Sequence, residues 1–307
     1  MTASMRPSGV SVVVVSFNTR EPLRRCLQSI EPEHEVIVVD NASSDGSAEM
    51  VERDFPRARL VRNRTNRGFG AANNQGLELC ARPLALLLNS DAWATPGAIA
   101  RLASAFTDWP GGPVAGAGGK LLHPDGRLQL SSANALSLWA VLCEQLLLER
   151  AFPRSRWLAP YWNSHRLAST AAVEQVMGAC LMVRPDARFD ERFFLYCEDT
   201  ELCRRLRARG AILYVPEAVF YHELGASSSA DRWRSVARYN RGKELYFAIH
   251  HGAAAQSACW ALDRIGALLR LAAWSALAWR GPAQRSQATL FWRVLTAPLA
   301  GPPRPAC

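Results

Sequence analysis

The sequence predicts an α/β fold on a largely parallel sheet, and three observations carry that expectation. Two apolar runs end abruptly on a carboxylate: VIVVDNASSDGS at 36–47 and LALLLNSDAWATP at 84–96. Strand-like and helix-like segments alternate through the first third of the chain, the rhythm of an α/β sheet with right-handed crossovers. A third acidic cluster, FLYCEDTELCRRL at 194–206, follows far downstream. Buried parallel strands are nearly all apolar, and open α/β sheets bind ligands at their C-terminal ends. Carboxylates ending two such strands therefore converge on one crevice, which suits a nucleotide-linked, metal-assisted reaction better than packing.

In order, VSVVVV at 10–15 predicts the first strand, and Pro22 suits the first turn of a helix running to about Ile30. Residues 36–39 form the second strand. NASSDGS then turns, with Ser47 placed to cap a helix over 48–54. A short strand at 59–62 precedes NRTNRGFGAANNQG, a Gly/Asn-rich loop at 63–76 opening into a helix that ends near Cys80. Residues 84–88 give the next strand, and Pro96 starts a helix to about Phe106. GGPVAGAGGKLLHPDGRLQ at 111–129 reads as a strand and a turn at PDG. A helix is expected near 137–149, a strand over 175–183, a helix over 199–208 and a final strand over 211–215. After Ser229 the pattern is wholly helical, and the terminal GPPRPAC reads as disordered. The expected division is a catalytic domain over 10–228 and a basic, Trp-rich helical extension over 229–307.

The 307 residues carry a net charge of +9, and 49% of them are apolar, enough for a substantial core. Almost all of the charge lies in the tail: residues 226–307 hold eleven Lys and Arg against three Asp and Glu. A basic tail with interleaved Trp and Leu points to an anionic membrane surface rather than nucleic acid. Within CWALDRIGALLRLAAWSALAWR at 259–280, Asp263, Arg264 and Arg270 break the apolar run. That disfavours a spanning helix and favours an amphipathic one at the surface. Eight cysteines without a CxxC pair suggest neither zinc nor a disulfide framework. Together with an N-terminus that has no cleavage pattern, they suggest a cytoplasmic enzyme, peripheral at the inner face of the membrane.

Each candidate residue has a structural alternative. Asp40 can accept a hydrogen bond from a ribose hydroxyl or a pyrimidine N–H, or with Asn41, Ser43 and Asp45 it can simply build the turn. The glycines of GFGAANNQG let the backbone approach an anion, or merely enter a helix. Asp91 at a strand end suits a hard divalent cation, or an Asx turn. Glu198 and Asp199 open a helix where anions are favoured, or cap it. His222, standing alone after a strand, is as a residue type more often structural than a ligand.

Taken together, VVVVSFNTREPLRRCLQSI, VIVVDNASSDGS, NRGFGAANNQG, LLLNSDAWATPGAI, VMGACLMVRPDARFDERFFLYCEDTELCRRLRARG and VPEAVFYHELGAS resemble the family 2 glycosyltransferases over residues 10–228, in particular a bacterial rhamnosyltransferase-like branch. The resemblance implies a GT-A fold and an inverting sugar transfer from a nucleotide-diphosphate sugar, with dTDP-rhamnose the first candidate, to a glycan or lipid-linked acceptor in cell-surface polysaccharide synthesis. It implies Asp199 as general base with Glu198 beside it, and a divalent cation, Mg²⁺ or Mn²⁺, at Asp91 and His222. It also places Ser16, Asn18, Asp40, Asn41, Gly68, Asn73, Asn89 and Ser90 on the donor nucleotide. Asn89-Ser90-Asp91 stands where the family carries DxD. A sugar-nucleotide-forming nucleotidyltransferase and a non-catalytic scaffold of the same fold are the alternatives; the first lacks a Gly/Arg/Lys-rich triphosphate loop, and the second would not need to keep Asp40, Asp91 and Asp199.

Overall fold

The computed structural model describes residues 9–223 and 232–296. The chain divides into two compact units. One comprises Met1–Ala135, Trp162–Glu191 and Glu198–Ser227, the other Leu136–Tyr161, Arg192–Cys197 and Ser228–Cys307.

The first unit is built on one mixed sheet. Its strands are β1 (Ser11–Ser16), β2 (Glu35–Asp40), β3 (Arg59–Arg62), β4 (Ala85–Asn89), β5 (Ala92–Ala94), β6 (Val114–Leu122), β7 (Leu128–Gln129), β8 (Ser132–Ala133), β9 (Ala171–Val173), β10 (Gln175–Val176), β11 (Cys180–Val183) and β12 (Ala211–His222). The main order is β3-β2-β1-β4-β11-β6-β12-β5, with β7 on β6 and β9 on β12. β8 and β10 form a separate pair. The first four strands are parallel, as expected, but β11 runs antiparallel between β4 and β6. Side chains alternate across the sheet: Val12, Val14, Leu86 and Leu88 enter the core on one face, Val13 and Leu87 that on the other.

Helices α1 (Arg20–Gln28), α2 (Ser47–Asp54), α3 (Phe69–Glu78) and α4 (Ala98–Asp108) follow the strands, and α7 (Glu198–Leu206) precedes β12. Ser47 does not cap α2. The N-cap is Gly46, and Ser47 gives both its N–H and its hydroxyl to Asp45 Oδ1. The expected strand over 175–183 is broken at Met177–Ala179 into β10 and β11. β12 runs on past Pro216 to His222, because its register shifts between Val215 and Val219 and accommodates a residue with no N–H to donate.

The second unit is helical: α5 (Leu138–Gln145), α6 (Leu148–Ala151), α8 (Arg232–Ala276, interrupted at Gly252) and α9 (Pro282–Thr296). Its core joins Leu136, Val141, Phe193 and Cys197 to Tyr246, Phe247 and Cys259. This shared core groups 136–161 and 192–197 with the C-terminal helices, where a single cut at 228 was expected. GPPRPAC lies outside the described residues.

Candidate active site

The ends of β1, β2 and β4 meet in one place. Ser16 pairs with Asp40 across β1 and β2, and the Ser16 hydroxyl lies 3.1 Å from that of Thr19. Thr19 in turn donates to Ser90 Oγ at 2.8 Å. Ser16, Thr19, Asp40, Asn41, Ser90 and Asp91 are all buried. Asp40 Oδ2 accepts the Ser43 N–H at 3.0 Å, whereas its Oδ1 is buried with no hydrogen-bond partner. Asn18, at positive φ, accepts the Ser44 N–H on its side-chain oxygen and donates its own N–H to Ser43 Oγ, so it shapes the loop over the strand ends.

Asn41 is placed differently from Asp40. Its Nδ2 donates to Asn66 Oδ1 and the Gly68 carbonyl, and its Oδ1 accepts from Asn63 Nδ2 and the Arg67 N–H. All four hydrogen-bonding positions of the amide are therefore filled. Asn41 clasps the 63–68 loop and can act on a nucleotide only through that loop. Gly68, at φ 87° where a side chain would be strained, caps α3. Asn73 is buried and donates to the Phe69 carbonyl of its own helix. Its neighbour Asn74, which the sequence did not single out, exchanges hydrogen bonds with both backbone groups of Phe189 and donates to Glu191.

At the end of β4, Asp91 Oδ1 stands 3.2 Å from His222 Nε2, and Asn89 Nδ2 is 3.3 Å from the same nitrogen. The Asp91 carbonyl accepts the Glu223 N–H, and β12 pairs with β5 through His222 and Ala92, which fixes the imidazole over the motif. Gln129 Oε1 holds the other ring nitrogen, Nδ1, at 3.1 Å. Asn89 Oδ1 is buried without a partner. These atoms suit a divalent cation: Asp91 and Asn89 offer hard oxygens, His222 offers an imidazole nitrogen, and one oxygen is already desolvated with no partner. Among the described residues no cluster of three or more His, Cys, Asp or Glu forms a metal cage. A cation here would need ligand oxygens from a substrate, the usual pattern for Mg²⁺ at phosphates.

Asp199 stands in the first turn of α7. Its Oδ2 accepts the Gly178 N–H at 2.8 Å and its Oδ1 the Thr200 N–H at 2.7 Å. Gly178 eases this approach: a Cβ there would crowd both Asp199 Cβ and Phe69 Cε1 at 3.3 Å. On the far side of the same short segment, the Ala179 carbonyl accepts the Asn89 N–H. The break between β10 and β11 thus ties Asp199 to the NSD motif. Burial raises the Asp199 pKa against the lowering effect of its backbone hydrogen bonds. Burial, then the neighbouring Asp199 charge, drives Glu198 much higher still, and its Oε2 has no partner. Asp199 is only partly buried and Glu198 wholly so, which leaves Asp199 the accessible one. The two residues before the pair, Tyr196 and Cys197, are both at positive φ, a strained entry into the helix.

Residues 11–131 match the glycosyl transferase family 2. The N-acetylglucosaminyl-diphospho-decaprenol L-rhamnosyltransferase of Mycobacterium tuberculosis is 30% identical over 262 residues, covering 78% of this chain and 84% of that protein. Two solved structures share the fold. A mannosyltransferase from Pyrobaculum calidifontis, in complex with GDP-Man and Mn²⁺, superimposes with a TM-score of 0.53 at 16% identity over 95% of this chain and 86% of its own. GalNAc-T7 with UDP, GalNAc and Mn²⁺ gives 0.54 at 13% identity over 80% of this chain, which spans about half (51%) of that longer protein.

Proposed function

The chain belongs to glycosyl transferase family 2 and is a glycosyltransferase using a nucleotide-sugar donor in polysaccharide synthesis; we propose that its first unit transfers rhamnose, with inversion, from dTDP-rhamnose to a hydroxyl of a diphospholipid-linked N-acetylglucosamine. One observation carries the assignment of roles: the Met177–Ala179 segment is bonded to Asp199 on one side and Asn89 on the other. It sets a base for the acceptor beside the residues that face a departing diphosphate. The rhamnosyl donor and the lipid-linked acceptor are taken from what the mycobacterial relative acts on.

In this mechanism Asp199 accepts the proton of the acceptor hydroxyl as its oxygen attacks the anomeric carbon. The bond from that carbon to the diphosphate breaks on the opposite face, so the configuration inverts and the nucleoside diphosphate leaves. Asp40, with its free Oδ1, binds the nucleobase or ribose, and Ser16 and Ser90 order the strand ends around it. Asp91, His222 and Asn89 Oδ1 would hold a divalent cation, Mg²⁺ or Mn²⁺, which when bound neutralises charge on the leaving diphosphate. Glu198, pushed toward its neutral form by burial and by the Asp199 charge, limits the negative charge beside the base.

The second unit supports attachment to an anionic membrane surface. The three charges that break the apolar run of α8 are not all turned to water. Asp263 is 2% exposed, and Arg264 and Arg270 bond backbone carbonyls. The outward face carries Trp260, Ile265, Leu268 and Leu269, and the same unit exposes Trp157 (80%) and Trp279 (78%). An exposed apolar patch of this kind marks an interaction surface. Beside it, Leu146, Leu147, Leu269, Trp274 and Leu277 line a groove of about 370 Å³. Among the described residues no helix is long and apolar enough to cross a membrane, so attachment would be interfacial.

A donor screen tests the reading. Nucleoside diphosphate release with an N-acetylglucosaminyl diphospholipid should be highest from dTDP-rhamnose; release only from UDP- or GDP-sugars would overturn the rhamnosyl assignment.

A further inference from the structure

We propose that Gln129 is a positioning residue: it fixes the tautomer of His222 so that the Nε2 lone pair faces Asp91 and Asn89 and completes the cation site. The proposal rests on the cation reading above. Gln129 lies on the two-residue strand β7, opposite Leu121 of β6, and its side chain is buried. Its Oε1 is 3.1 Å from His222 Nδ1. A carboxamide oxygen only accepts, so this contact requires the hydrogen on Nδ1. From the other side, Asn89 Nδ2 lies 3.3 Å from Nε2. A carboxamide nitrogen only donates, so this second contact requires a lone pair on Nε2. Two neighbours on different strands select the same tautomer.

That tautomer has a consequence for Asp91. Its Oδ1 is 3.2 Å from Nε2. With the hydrogen on Nδ1, a carboxylate lone pair faces an imidazole lone pair with no proton between them. Such a contact repels when empty, and a cation seated between the two atoms makes it attractive. Seating the cation requires Asn89 to turn its amide, so that the unpartnered Oδ1 replaces Nδ2 at this place and the Nε2 lone pair is released. Histidines that bind metals regularly donate their second N–H to a carbonyl or carboxylate, which sets ring orientation and raises basicity. Gln129 fits that part. The opposite setting of both amides would put the hydrogen on Nε2, aim it at Asp91, and give the unpartnered Gln129 Nε2 an acceptor. His222 would then be a neutral donor to Asp91 that needs no cation, and experiment separates the two.

The test uses the full chain. Long-range ¹H–¹⁵N correlation spectra of ¹⁵N-histidine protein, with Mg²⁺ added, should show His222 protonated at Nδ1. Mn²⁺ affinity is read by the electron paramagnetic signal of free Mn²⁺, in the presence of the nucleoside diphosphate chosen by the donor screen. Gln129→Leu, which cannot accept, should weaken Mn²⁺ binding about 10–100-fold. Gln129→Glu, which accepts, should stay within a few-fold of the unmodified chain. A His222 hydrogen on Nε2 in the Mg²⁺ state would overturn the proposal. So would unchanged Mn²⁺ affinity in Gln129→Leu while Asp91→Ala and His222→Ala lose it, and in that case the cation site itself stands. If Asp91→Ala and His222→Ala also bind Mn²⁺ normally, the cation reading falls and the proposal with it. Should Gln129→Leu fail to fold, Gln129→Glu and the spectrum of the unmodified chain still decide.

Discussion

In the second unit the Lys243 ammonium, with no exposed surface, lies 2.7 Å from Asp263 and 3.2 Å from Glu144, and Gln145 donates to the same Asp263 oxygen. In the first unit Asp40, Asn89, Gln129 and Glu198, and also Glu31 away from the site, each bury a polar atom without a hydrogen-bond partner. Both regions take polar groups out of water, which is costly unless they are paired. The helical unit closes its network internally. Burial alone would lower the Lys243 pKa, but Glu144 and Asp263 outweigh it and raise it. Burial pushes Asp263 up to about 6 even against Lys243. The sheet unit leaves its network open at the ends of β2 and β4 and at the start of α7. A closed network locks helices together; an open one, gathered at strand ends, is waiting for a ligand's polar atoms. Burial of a charge does not by itself mark function. Several missing partners gathered at strand ends do.

The sharpest way to break this contrast is at Asp199. Asp199→Asn removes the base while its oxygen can still accept the Gly178 N–H. Transfer should fall about 10²–10⁴-fold, with donor-nucleotide binding and thermal stability close to those of the unmodified chain. Turnover within a few-fold of normal would end the assignment. The raised Asp199 pKa also sets a sign for pH. The base works ionised, so kcat/KM should decline as pH falls through a value above that of an ordinary aspartate, and the decline should vanish in Asp199→Asn.

The closed network predicts the opposite division of effects. Lys243→Met leaves Asp263 and Glu144 without their ammonium and should destabilise the protein by about 3–5 kcal/mol. Denaturant melts monitored by tryptophan fluorescence would show it, while KM for the donor in the folded fraction stays unchanged. Adding Asp263→Leu should recover most of the loss, since an apolar replacement of both partners is often neutral. A double variant as unstable as the single would mean that the network does more than satisfy its own charges.

How far these contrasts were legible in the sequence depended on whether a signal was local. Asp40 and Asp91 stand out because an apolar run stops at a carboxylate, and the succession of strands along the chain through β4 followed from such runs. Gln129 did not stand out. In GRLQLSS it reads as one step of strand alternation, and its partner is 93 residues away. Asn74 is likewise explained only by Phe189, 115 residues on. The antiparallel β11 was hidden because an apolar run does not state its direction. Asp263 was legible only as a break in the apolar run of 259–280, and its burial was not. A charge inside an apolar helix does not state which way it points; Lys243, on the other side of the Gly252 break, pairs with Asp263 in the core.

Glu198 gives a smaller and more discriminating effect. Burial drives it toward the neutral form, and glutamine has nearly the shape of a protonated glutamate. Glu198→Gln should therefore lower kcat/KM by less than about tenfold, since no charge is lost at neutral pH. A loss as large as that of Asp199→Asn would mean that both carboxylates act ionised, and the division of labour between them would have to be redrawn.

The smallest expected effect lies on the outward face of the second unit. Trp260 and Trp279 are exposed, and each has an arginine guanidinium over its ring, Arg264 at 5.4 Å and Arg280 at 5.4 Å. An indole paired with a cation suits the boundary between acyl chains and anionic headgroups, where both parts are satisfied. Removing a long stretch of the tail would be a poor test, because Cys259 and Asp263 belong to the buried core and Lys243 would lose a partner. Point changes at the surface avoid this. Trp279→Gln removes part of the apolar contact and should reduce partitioning onto anionic vesicles by about fivefold, equivalent to about 1 kcal/mol. Arg280→Gln should have a similar effect at low salt, since each cation near an anionic leaflet contributes about 1 kcal/mol, and the effect should fade as salt rises. Vesicle flotation reads both, and transfer to a short, water-soluble acceptor should be unchanged in each. Equal flotation of both variants and the unmodified chain would remove the membrane from the account, leaving the outward-facing tryptophans to be explained by another partner.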